Sequence, residues 1–171
     1  DYINFTTIKN DFFDKNKDWL IPYAVFCYLT SKYKTSDFSC WEEYSSYDND
    51  NVTNLITRHP ETVEIYYFLQ YHLDKQLKES VEYIHDKGIA LKGDIPIGIG
   101  RYSVEAWTNP ELFNLDSQAG APPDAFATDG QNWGFPTYNW QVMAADGYSW
   151  WRRRLQYMSR FFDAYRIDHI L

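Results

Sequence analysis

Arg166 and Asp168 lie two positions apart in the run Tyr165-Arg166-Ile167-Asp168-His169-Ile170, and residues i and i+2 of a β-strand project from the same face. A guanidinium beside a carboxylate favours the ionised form, so the pair could present a permanently charged carboxylate nucleophile with its own counter-ion. The same spacing also fits an ordinary structural ion pair, the commoner cause of such juxtapositions. A second acid, Asp94, sits in another strand-like stretch, 89–97. Two carboxylates facing one cleft could divide glycoside chemistry, one attacking the anomeric carbon and the other protonating the leaving oxygen. Asp94, next to Gly93, reads equally well as a turn or capping residue.

The elements that would position these groups follow from periodicity. Asp18 to Tyr33 reads as a helix with Pro22 in its first turn and Val25, Phe26, Leu29 and Tyr33 on one face. Residues 36–54 are polar and read as a connection pinned by Trp41, Tyr44 and Tyr47. His59-Pro60-Glu61 opens a long helix whose apolar stripe runs through Ile65, Phe68, Leu69, Leu73, Leu77, Val81 and Ile84, and Asp86-Lys87-Gly88 stops it. A strand at 89–97, a helix over about 148–162 and a strand from Ala164 form a βαβ unit with parallel strands and a right-handed crossover. In that unit Asp94 and Asp168 can face one cleft at the same end.

Between the first strand and the crossover helix lie roughly 45 residues without clear periodicity, far beyond the usual connection. The stretch carries Trp107, Phe113, Phe126, Trp133, Phe135, Tyr138 and Trp140 among Gly, Pro and Asn. It leaves the carboxyl end of its strand, where α/β proteins place their sites. Ring faces stack on the C–H faces of sugars, so an aromatic wall is expected there. Arg152, Arg153 and Arg154 fan around their helix and read as a solvated face.

Composition narrows the functional classes. The chain has 171 residues, 44% hydrophobic and 19% aromatic, with a formal net charge of -8. That charge argues against a nucleic-acid partner, and no run approaches the roughly 18 apolar residues of a membrane span. Cys27 and Cys40 match no metal or redox spacing, which points to a reducing, cytoplasmic setting. His59, Glu61, Glu64 and His72 fit no metal-ligand pattern, and Gly98-Ile99-Gly100 is followed by no Lys-Ser/Thr of a phosphate loop. Neither a metal nor a cofactor is expected.

Several long motifs carry a resemblance. Gly93-Asp94-Ile95-Pro96-Ile97, residues 103–113, Ala121-Pro122-Pro123-Asp124-Ala125-Phe126, the run 130–140 (Gly-Gln-Asn-Trp-Gly-Phe-Pro-Thr-Tyr-Asn-Trp), 146–151 and Arg166-Ile167-Asp168-His169 follow one another. They resemble the 4-α-glucanotransferases, the amylomaltase or disproportionating-enzyme family, with wording closest to its disproportionating-enzyme-2 type. The likeness is strong over 88–171 and rests mainly on helical pattern before that. It implies an α/β fold, part of a (β/α)8 barrel, in which 88–171 supply strands three and four with their crossover helix and 1–87 form a helical insertion.

By the same resemblance Asp168 would be the nucleophile, Arg166 would position it, and Asp94 and His169 would bind hydroxyls of the transferred glucose. Asp124, Gln131, Trp133 and, more weakly, Tyr138 would belong to a loop lining the sites. The expected partners are α-1,4-glucans and maltooligosaccharides. Ile170 stands where many amylomaltases have Phe, and Arg101-Tyr102 replaces a more acidic pair seen in some relatives. A full barrel needs about 250 residues, and the family's acid/base Glu and a further Asp lie on later strands. The chain is therefore expected to be a piece of a larger enzyme, with the remainder of that chain as its partner and no activity by itself. The alternatives are a non-catalytic glucan-binding or structural fragment and a hydrolase of the α-amylase group.

Overall fold

The structure, a computed structural model, describes residues 2–167, with side chains from Asp11 onward. The chain divides into two compact units, Asp1–Leu77 and Lys78–Leu171.

The first unit opens with α1, Tyr2–Tyr33. It begins well before the expected Asp18, which places Pro22 in the helix interior instead of its first turn. An interior proline removes one backbone donor. The helix holds because Leu20, Ala24, Val25 and Leu29 are all fully buried. The stretch 36–54 is more ordered than its polarity suggests. It contains two 3-10 turns, Phe38–Cys40 and Glu42–Tyr44, and the start of α2, Asn49–Arg58. Asp48 caps α2 by accepting from the Asn51 amide at 2.8 Å, a contact that satisfies an otherwise orphaned helix donor. Trp41 is the anchor here: it is fully buried, its ring meets Phe26 edge-on at 5.0 Å, and its Nε1 donates to the Thr35 carbonyl at 3.0 Å.

Helix α3, Pro60–Asp86, starts and stops close to where the sequence signals place it. Of the expected stripe only Val81 is buried; Leu73 is 56% exposed and Ile65 51%, and the other buried positions are Val63, Tyr67 and Asp74. Phe13 packs on Tyr67 at 5.2 Å and Phe12 on Tyr71 at 5.6 Å, so the contacted face is the one carrying the tyrosines. Two apolar faces share this helix, and spacing alone favours the richer in leucine.

In the second unit Gly88, at φ 71°, terminates α3. Its amide bonds to the His85 carbonyl and that of Ile89 to Ile84, the paired contacts of a Schellman motif. Strand β1, Lys92–Ile95, follows. The long connection then folds into α4 (Val104–Thr108), a 3-10 turn at Pro110–Leu112 and four two-residue strands, β2 (Phe113–Asn114), β3 (Gly120–Ala121), β4 (Gln131–Asn132) and β5 (Thr137–Tyr138). Strands β2 and β5 pair antiparallel, as do β3 and β4. Arg101 ties the connection down by donating to the carbonyls of Leu115 and Ser117. Helices α5 (Trp140–Ala145) and α6 (Ser149–Met158) lead into β6, Ala164–Ile167.

Strands β1 and β6 pair in parallel, with Gly93 opposite Tyr165 and Asp94 opposite Arg166. A Cβ at Gly93 would lie 2.5 Å from the Phe162 ring, so the absence of a side chain there lets the ring lie flat on the strand. Asp163 closes the entry to β6. Its amide donates to the Leu91 carbonyl at 2.9 Å, and its carboxylate accepts from the Leu91 amide and meets His85 Nε2, both at 2.8 Å. The Leu91 amide first, and then His85, hold this carboxyl below the usual carboxylate range.

Candidate functional site

Asp94 and Arg166 meet at the paired strands. Their Cα atoms are register partners, and Arg166 Nη2 donates to Asp94 Oδ2 at 2.8 Å. In a parallel ladder, register partners share a face, so both side chains leave the sheet together. Both remain open to solvent, with side chains 55% (Arg166) and 61% (Asp94) exposed. The guanidinium expected beside Asp168 thus engages Asp94. Asp168 and His169 lie outside the described residues.

A cleft of about 670 Å³ opens beside this pair. One side is the chain run 94–101, leaving β1; the other is Trp133, Gly134 and Phe135. The Trp133 and Phe135 rings stack at 5.8 Å with 26° between their planes. Trp133 Nε1 donates to Gln131 Oε1 at 3.0 Å, which fixes the indole and turns the Gln131 amide toward it. Phe135 lies so close to Gly98 that a Cβ there would stand 2.3 Å from its Cδ2. The positive φ of Gly134, 76°, makes the bend between the two rings, a conformation glycine adopts without steric cost.

The remaining expected residues, Asp124 and Tyr138, are not part of the cleft lining. Asp124 sits in the exposed loop between β3 and β4 and accepts from the Phe126 and Ala127 amides at 2.8 and 2.7 Å. It shapes a turn and does not line the cleft. Tyr138 is buried among Phe113, Trp140, Trp150 and Trp151, and its hydroxyl donates to the Ile97 carbonyl. Burial raises its phenol pKa, and the nearby Arg154 guanidinium opposes that rise. Asp94 and Trp133 therefore line the cleft, bonded to Arg166 and Gln131 respectively, while Asp124 and Tyr138 hold backbone.

Phe135, one of the aromatics expected in the wall, forms half of the ring stack. One feature was missed by sequence reasoning. Arg154 is not part of a solvated face: its guanidinium lies 5.1 and 5.2 Å from the ring centres of Trp150 and Trp151. A Trp-Trp pair three and four residues before an arginine on a helix was the available signal. Among the described residues no three His, Cys, Asp or Glu side chains gather to hold a metal ion, and no helix is long and apolar enough to cross a membrane.

This geometry suits a polyhydroxylated ligand. A carboxylate and a guanidinium offer acceptors and donors to neighbouring hydroxyls, and stacked rings offer an apolar face to ring C–H groups. A family profile described as 4-alpha-glucanotransferase, glycoside hydrolase 77, matches residues 6–171. The chain belongs to that family. It is 46% identical over 172 residues to the rice 4-alpha-glucanotransferase DPE2, covering 99% of this chain and 18% of the rice protein. It is 34% identical over 165 residues to the 4-alpha-glucanotransferase of Chlamydia muridarum, covering 94% of this chain and 30% of that one.

Among solved structures, the Streptococcus agalactiae amylomaltase in complex with acarbose superposes with a TM-score of 0.87 at 34% identity, over 96% of this chain and 34% of that one. The Corynebacterium glutamicum amylomaltase gives a TM-score of 0.69 at 25% identity, over 89% of this chain and 20% of that one. The described α/β fold is thus shared with amylomaltases, and this chain spans well under half the length of each.

Proposed function

We propose that this chain carries the donor-glucose part of a 4-α-glucanotransferase site, one that moves glucosyl or maltosyl units between maltose, maltodextrins or branched glucans. The observation that carries the reading is the Asp94–Arg166 pair beside the Trp133–Phe135 wall. In this reading β1 and β6 are strands three and four of a (β/α)8 barrel, 88–171 are part of that barrel, and 1–87 are a helical insertion. The setting is cytoplasmic.

Asp168, two positions beyond Arg166 in sequence, attacks the anomeric carbon and forms a β-glucosyl ester as the glycosidic C–O bond breaks, the leaving glucan oxygen taking a proton from the acid/base carboxyl. A sugar hydroxyl, giving its proton back to that carboxyl, then displaces Asp168, and the two inversions give net retention. Arg166 keeps positive charge beside the carboxylates. Asp94 and His169 bind hydroxyls of the donor ring, and Trp133, held by Gln131, stacks on the chain. Asp124 and Tyr138 serve by holding the loop. The second carboxyl that retention requires is assigned to none of residues 1–171. Excluding water favours transfer over hydrolysis, and the aromatic wall is suited to that.

The test is a product assay on the full-length protein with maltoheptaose, resolving longer and shorter glucans from free glucose. The expected products are disproportionated chains, and Asp168→Asn removes them. Unchanged transfer in that variant refutes the nucleophile. Glucose release without longer chains favours the hydrolase reading, and binding of maltoheptaose without turnover favours the non-catalytic one.

A further inference from the structure

The three arginines of α6 have separate fates. Arg152 and Arg153 are exposed, while Arg154 is half-buried over Trp150 and Trp151. Arg154 Nη2 donates to the Pro96 carbonyl at 2.9 Å. The next carbonyl, Ile97, accepts from Tyr138. β1 ends at Ile95, so both carbonyls have left the strand ladder, and a backbone group without a partner is costly once water is excluded. Two consecutive carbonyls are thus held by two side chains, one from α6 and one from β5. Pro96 and Ile97 are also cleft wall, between Asp94 and the Gly98 on which Phe135 rests.

From this geometry we infer that Arg154, together with Tyr138, is a positioning residue. The two clamp the Pro96-Ile97-Gly98 wall and so fix the span across the cleft from Asp94 to the Trp133–Phe135 stack. The inference rests on reading the cleft as the glucan site. Arg154 acts through backbone and touches no sugar, and its charge is kept in place by the two indole faces. Tyr138 stays a donor over the working pH range because burial keeps its phenol protonated.

The test uses the full-length protein and three variants. Arg154→Met keeps an apolar stem on the indoles but removes charge and donors. Arg154→Lys keeps the charge and one reaching donor, and Tyr138→Phe removes a single oxygen. Loss of a charge-assisted bond is expected to speed amide exchange across residues 95–101 on the order of tenfold in Arg154→Met, with partial recovery in Arg154→Lys. The KM for maltoheptaose rises by a similar factor with a smaller change in kcat.

Unchanged exchange across 95–101 in Arg154→Met overturns the clamp, whatever the activity. So does an exchange increase that Arg154→Lys fails to reduce and that tracks a general fall in melting temperature, since that is loss of packing alone. If Arg154→Met does not fold, Tyr138→Phe decides: faster exchange across 95–101 supports the clamp, and wild-type exchange overturns it. A wild-type protein that transfers no glucan refutes the proposed function while the exchange result still stands. Transfer with unaltered exchange refutes only the clamp.

Discussion

Gly98→Ala tests the cleft at its tightest point. The added Cβ would lie 2.3 Å from Phe135 Cδ2, 2.5 Å from Cε2 and 2.7 Å from Cγ. Carbon atoms rest about 3.5–4.0 Å apart, so the ring must recede by about 1.2–1.7 Å. Cγ is itself too close, so a swing of the ring tip does not relieve the contact; the Phe135 stem must move, and with it the stack on Trp133. Such overpacking costs about 1–3 kcal/mol. Gly100→Ala is the internal control, because its Cβ would meet only Ser103 Cβ at an ordinary 3.7 Å. Both substitutions remove the same backbone freedom, worth about 0.4–1 kcal/mol of stabilisation, so the difference between them isolates the steric cost. Urea unfolding of both variants, with maltoheptaose titration followed by tryptophan emission, gives the comparison. Gly98→Ala is expected to be about 1–3 kcal/mol less stable than Gly100→Ala and to bind the glucan more weakly. If the two unfold within about 0.5 kcal/mol of each other and bind alike, Phe135 does not rest on Gly98 and the cleft wall is wrong.

Asp94→Asn removes an ion pair that is more than half exposed, so stability should change by less than about 1 kcal/mol. Glucan transfer by the full-length protein should still fall at least about tenfold, from a lost hydrogen bond to a charged group; equal activity would remove Asp94 from the site. Trp41→Ala should destabilise by about 3–5 kcal/mol, and Trp41→Phe by less, since only the bond to the Thr35 carbonyl is lost outright; chemical denaturation that finds Trp41→Ala neutral would contradict its buried position. Asp163 has a folded pKa depressed below its ordinary 3.8, so its contribution is present above that value and is lost as pH falls through the folded pKa. Melting curves at falling pH should show Asp163→Asn with a flatter acid limb than the parent, and identical limbs would refute the Leu91–Asp163–His85 contact.

The sequence carried the elements whose signals are local. Pro60 and Gly88 bracket α3 because each acts on the backbone at its own position, and the parallel β1–β6 pairing follows from two strand-like runs around a crossover helix. It carried α1 and α2 less well. The first half of α1 has no clean stripe, and α2 lies in a Ser-, Asp- and Asn-rich stretch whose composition resembles a loop, although Asp48 is placed to cap it. The choice of face on α3 was misread because Ile65, Leu69 and Leu73 make a better apolar stripe than Val63, Tyr67 and Asp74; only the tertiary neighbours Phe12 and Phe13 decide between them. At the cleft, Asp94, Arg166 and Trp133 were identified by residue type and by motif. The pairing of Arg166 with Asp94 was not, because cross-strand partners depend on register, which no local pattern supplies. Arg154 was hidden by its two exposed neighbours.

The Asp94–Arg166 bond joins residues 72 positions apart. Closing so long a loop is a non-local event that follows the collapse of what lies between. The pairing that brings Arg166 to Asp94 therefore forms late in folding. Separating β6 from β1 would separate Arg166 from Asp94. On the glucanotransferase reading proposed above, the docking of β6 on β1 is therefore a precondition for Arg166 and Asp94 to act together.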